Sequence, residues 1–67
     1  MKVIVNDENY HVGDNSSLLS LLESLEISSM RGWAIAVNEK VIAHSEFENF
    51  FLQEGDRILL IQATQGG

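Results

Sequence analysis

Sixty-seven residues make one domain at most, and the absence of cysteine removes disulfides and thiolate metal sites. Ten acidic residues against four basic ones give a formal charge of −6, which argues against a phosphate-backbone ligand because such ligands need clustered Lys and Arg. The same balance fits either plain solubility or contact with a basic surface on a partner.

The apolar fraction of 45% suffices for a small core, which at this size supplies about 3–5 kcal/mol. No segment is long and apolar enough to span a bilayer. The opening "MKVIVNDENYHVG" turns polar after five residues, so no signal peptide is expected. A cytoplasmic location follows by default.

"KVIVN" (2–6) is a β-branched run and reads as a strand. "NDEN" (6–9) supplies turn residues, and "YHV" (10–12) reads as a second, short strand. "GDNSS" (13–17) breaks that hairpin. Over 16–27 the period changes: Leu18, Leu22 and Leu25 fall at i, i+4 and i+7, with Leu21 beside them. This is one apolar stripe of a helix, with Ser17, Ser20 and Ser24 on the other side. Asn15 or Ser16 is the expected N-cap, and Gly32 the point where the chain reverses.

"WAIAV" (33–37) alternates strictly, with Trp33, Ile35 and Val37 on one face and Ala34 and Ala36 on the other. "NEK" (38–40) is a tight turn into the strand "VIA" (41–43). Ser45 and Glu48 fit a capping box, which predicts one short helical turn. Phe47, Phe50, Phe51 and Leu52 crowd the next stretch and are expected to plug one end of the core. "QEGD" (53–56) is a turn, and "RILLIQA" (57–63) is the last strand.

Hairpins at both ends with one central helix indicate an α+β fold, a mixed sheet with one helix across a face. Val3, Val5, Ile35, Val37, Ile58 and Leu60 make a consistent inward set. A strand period of two then puts Ile4, Leu59 and Ile61 on the opposite face, where no second helix remains to cover them. Those three residues are the expected partner-binding surface. His11 and His44 share no ligand spacing and read as surface or turn histidines. Trp33 reads as a core-edge aromatic, and Asp14, Glu54 and Asp56 as turn and loop residues. No nucleophile–base pair, phosphate loop or metal constellation stands out, so no catalytic or metal residue is assigned.

The end of the chain poses a separate question. "IQATQGG" (61–67) finishes an apolar strand on two bare glycines, which have most backbone freedom to lose and no side chain to pack. Either the glycines are incidental or the terminal carboxylate is the working group. The order of elements, closed by "GDRILLIQATQGG" (55–67), resembles the ThiS family of sulfur carriers in thiamin thiazole biosynthesis. The resemblance covers nearly the whole chain, including the "MKVIVN" strand, the leucine-rich helix and the "AIAVNEKVIA" hairpin (34–43). Its most specific piece is the Gly55-Asp56 turn followed by an apolar strand and a Gly-Gly end. The same architecture is similar to ubiquitin and to the small subunit of molybdopterin synthase.

The resemblance implies a β-grasp (ubiquitin-like) domain over 1–63, with four to five strands packed on one central α-helix, and a flexible Gly-Gly tail over 64–67. It implies that an E1-like (ThiF-like) adenylating enzyme uses ATP to activate the Gly67 carboxylate. A cysteine desulfurase system then supplies persulfide sulfur, and a thiazole synthase (ThiG-like) takes it from the thiocarboxylate. Thr64, Gln65 and Gly66 thread into the partner. The carrier is itself no enzyme, binds no cofactor and is a monomer when free. Three alternatives stay open: a sulfur carrier for molybdopterin synthesis, a ubiquitin-like protein modifier, and a plain β-grasp interaction module.

Overall fold

Two asparagine-led turns set the outer pairs of the sheet. In the computed structural model, which describes residues 1–26 and 32–62, β1 (Lys2–Val5) and β2 (Glu8–His11) run antiparallel with Val5 opposite Glu8. Only Asn6 and Asp7 separate them, at φ of 48° and 70°. Positive φ at both centres is the two-residue turn whose twist matches that of the strands, and Asn tolerates it better than most residues. The turn is therefore tighter than the 6–9 expected, and β2 starts two residues earlier than the expected 10. The second hairpin repeats the device. β3 (Trp33–Val37) and β4 (Lys40–Ile42) flank Asn38 and Glu39, at φ of 52° and 72°.

The helix α1 (Leu18–Ser24) is shorter than its leucine stripe predicts. Ser17 is the N-cap, its Oγ accepting the Ser20 N–H at 3.0 Å. Neither expected cap serves: Asn15 lies in the left-handed region at φ 67°, and the Ser16 hydroxyl donates to the Gly13 carbonyl at 2.6 Å. At the other end the Leu25 N–H bonds the Leu21 carbonyl at 3.1 Å, and Glu26 takes φ 62°. That left-handed residue closes the helix well before Gly32.

His44–Asn49 form a 3-10 helix whose cap position, Ala43, offers no side-chain bond. Starting at His44 puts Ser45 inside the first turn, so the expected Ser45–Glu48 capping box does not form. After it the chain runs extended beside the start of α1: the Leu18 N–H bonds the Phe50 carbonyl and the Leu52 N–H bonds the Ser16 carbonyl, both at 2.8 Å. Extended alternation turns Leu52 inward to full burial, leaves Phe50 half-buried and turns Phe51 out, 57% exposed. Phe51 is thus not part of the core plug expected of it.

β5 (Arg57–Gln62) lies in the middle of a five-stranded sheet of order β2-β1-β5-β3-β4. It runs parallel to β1 and antiparallel to β3. One face of this mixed sheet meets α1. Val3, Val5, Ile35, Val37 and Ile58 are buried there with Leu18, Leu21 and Leu22. Leu25 and Leu60, both in the expected apolar sets, pack on the cluster half-buried. Ile42, Phe47 and Leu52 complete the core.

Candidate functional site

The site builds outward from β5, the strand that leads to the Gly-Gly end. Its start is set by the Gly55-Asp56 turn. Gly55 sits at φ 84°, a conformation that favours glycine. The Asp56 carboxylate accepts from the Gln53 N–H at 2.9 Å and from Asn38 Nδ2 at 3.0 Å. Asn38 Oδ1 in turn accepts the Arg57 N–H at 3.1 Å. One carboxylate therefore ties the turn before β5 to the turn after β3. The Asp56 carbonyl accepts the Ile4 N–H at 2.9 Å, which sets the parallel register of β1. Asp14 and Glu54 hold loops as well: Asp14 lies 3.6 Å from the N-terminal ammonium, and Glu54 Oε1 accepts the Lys2 N–H at 3.0 Å.

The face of the sheet away from α1 carries the three residues chosen from the sequence. Ile4 is half-buried, Leu59 is 50% exposed and Ile61 46%. The register places Leu59 beside Ala36 and Ile61 beside Ala34 on β3. Ala36 lies also opposite Val41 of β4, which at 70% is the most exposed large apolar side chain described. Exposed apolar side chains thus lie on β5 and β4, Leu59, Ile61 and Val41, with the buried Ala36 between Leu59 and Val41 and with Ile4 on β1 beside Arg57. Val41 lies outside the surface expected from the sequence. The signal was there in the alternation of "WAIAV" and "KVI", but reading it requires the two-residue turn that fixes their register.

A cleft of about 370 Å3 opens on this face, lined by Ile4, Leu59 and Arg57 and by residues of both asparagine-led turns. Arg57 and Asp7 form an exposed ion pair there at 3.8 Å. Among the described residues, no three His, Asp or Glu side chains gather as a metal site requires. His11 is exposed on β2. The His44 ring meets Phe47 in a tilted contact, 5.0 Å between centroids and 40° between planes, with Nε2 3.2 Å from the Trp33 carbonyl. Trp33 is half-buried at the edge of the core. Thr64, Gln65, Gly66 and Gly67 lie outside the described residues, as does Ala63.

A mixed sheet of this order, gripping one helix on one face, defines a β-grasp domain. The fold is that of two solved structures from Geobacter metallireducens. One is a crystal structure of the thiamine biosynthesis protein ThiS, with a TM-score of 0.86, 20% identity and full coverage of both chains. The other is a solution structure of a thiamine biosynthesis protein, with a TM-score of 0.79 and 20% identity, covering 100% of this chain and 88% of that one. The chain belongs to the ThiS family, whose model matches residues 2–67. It is 30% identical to the sulfur carrier protein ThiS of Escherichia coli over 67 residues, the full length of both.

Proposed function

We propose that this chain is a sulfur carrier for thiazole formation in thiamin biosynthesis, and that the Gly67 carboxylate is the group that carries sulfur. The supporting observation is that the family match runs through residue 67 and so takes in the Gly-Gly end.

A carboxylate is a poor acyl electrophile. In the first step a Gly67 carboxylate oxygen attacks the α-phosphorus of ATP, the α–β phosphoanhydride bond breaks and pyrophosphate leaves. The mixed anhydride gives the acyl carbon a good leaving group, dividing one hard substitution into two easier ones. In the second step the terminal sulfur of a cysteine persulfide attacks that carbon and AMP leaves. A further thiolate then cleaves the sulfur–sulfur bond, releasing the C-terminal thiocarboxylate and closing a disulfide on the donor side. Nucleotide, metal and catalytic groups belong to the partners: an E1-like adenylating enzyme, a cysteine desulfurase and a thiazole synthase.

Two glycines suit such a terminus. They present only backbone to a narrow channel and adopt whatever φ and ψ it imposes, while their amides still donate hydrogen bonds. Thr64 and Gln65 extend the reach by about 3.3–3.6 Å per residue. Ile4, Leu59 and Ile61 supply the docking surface, and the acidic excess steers the chain towards a basic partner. The test is an intact mass after incubation with the adenylating enzyme from the same organism, ATP and a sulfur source. Replacement of one oxygen by sulfur supports the reading. Attachment to lysines of other proteins identifies a modifier instead, and no change with any candidate enzyme leaves an interaction module.

A further inference from the structure

β1 is too short to accompany β5 to its end. It pairs with β5 only at Ile4–Arg57 and Val5–Ile58, whereas β3 pairs with β5 as far as Gln62. Beyond Ile58, the β1 side of β5 is met by the Asn6-Asp7 turn. Asn6 serves that edge twice: its N–H bonds the Ile58 carbonyl at 3.0 Å, and its side-chain Oδ1 accepts the Leu60 N–H at 2.9 Å. The left-handed φ of 48° at Asn6 ends β1 in a turn, so the side chain, not a further strand residue, reaches Leu60. Leu60 lies between Leu59 and Ile61, on the segment that passes from the sheet to the chain end.

We propose that Asn6 is a positioning residue for the activation of Gly67. It holds the second edge of β5 past the end of β1, and so fixes the line along which the strand leaves the sheet relative to the docking face. This inference rests on the sulfur-carrier reading above. Without the Oδ1 bond, among the described residues β5 is held after Ile58 from the β3 side alone. Its last residues then twist and fray over a wider range of directions. A terminus delivered over a wider range spends less time in the geometry that adenylation requires.

The test compares Asn6→Gly with Asn6→Asp in steady-state adenylation, read as pyrophosphate release with this protein as the varied substrate. Glycine keeps the positive-φ turn and removes the acceptor; aspartate keeps an oxygen acceptor and tolerates the turn. Partial unfolding of a protein substrate lowers its effective concentration and raises KM, whereas a misdirected terminus lowers kcat. The expected result is a kcat for N6G lower by roughly three- to ten-fold, the range one neutral hydrogen bond supports, with KM unchanged and kcat restored in N6D. Faster hydrogen exchange at the Leu60 amide of N6G accompanies it. A wild-type kcat in N6G, or a change confined to KM, overturns the inference and leaves the carrier reading standing. Failure of the unaltered protein to be adenylated at all overturns both.

Discussion

Asp56 shows how a turn residue becomes a determinant of the site. Its carboxylate accepts from the Gln53 N–H and from Asn38 Nδ2, so it holds the entry to β5 and the exit of β3 together. Removing it in Asp56→Ala exchanges two exposed hydrogen bonds for bonds to water and is expected to lower stability by about 0.5–1.5 kcal/mol in urea unfolding. Asp56→Asn, which keeps one acceptor, recovers part of that loss. Leu59 carries a different role. Half exposed at the middle of the outer face, it contributes little to the core. Leu59→Glu is expected to leave the melting temperature within a few degrees and to lower kcat/KM for adenylation by about thirty-fold or more. A drop in stability without that kinetic loss would show the face to be structural only.

Among the elements, the strands were the most legible. "WAIAV" alternates without exception, and β3 spans the five residues that the pattern marks. The helix was legible in its face but not in its ends. Three neighbouring polar residues, Asn15, Ser16 and Ser17, all suit an N-cap chemically, and only the backbone decides that Ser17 has the extended φ of −87° and ψ of 161° that capping needs. Its termination at Glu26 has no glycine to announce it, because a non-glycine residue takes the left-handed position. The same tolerance marks the β3–β4 turn, where Glu39 sits at φ 72°. A side chain there costs about 1–2 kcal/mol relative to its preferred regions. Glu39→Gly recovers that strain but adds unfolded-chain entropy worth about 0.5–1 kcal/mol. The net expectation is a gain of up to about 1 kcal/mol, measured as a higher urea midpoint at unchanged slope. The outer apolar face was legible as three residues on two strands. That Val41 lies on the same face, across the buried Ala36 from Leu59, is a property of register between strands, which a single strand's alternation does not contain.

In the molecule as a whole, the core and the outer apolar face lie on opposite sides of the sheet. The core gathers under α1, on the inner face, with Leu18, Leu22, Ile35 and Val3 fully buried. Leu22→Ala should therefore cost about 2–5 kcal/mol, and in so small a domain that loss suffices to unfold much of the population. The outer apolar face, with Leu59 50% and Ile61 46% exposed, lies outside that core. Most of the fold could be read from periodicity, since burial on one face dictates it. A role for the terminus has no such signature, because two glycines offer no packing or charge pattern; the family match over 2–67 shows the family and not that role. The decisive measurement is an intact mass of the unaltered chain and of a chain lacking Gly67, each incubated with the adenylating enzyme, ATP and a persulfide donor. The unaltered chain is expected to exchange one oxygen for sulfur, and the shortened one to remain unchanged while melting at the same temperature. Sulfur on the shortened chain, or none on the unaltered one, would contradict the assignment of the terminal carboxylate.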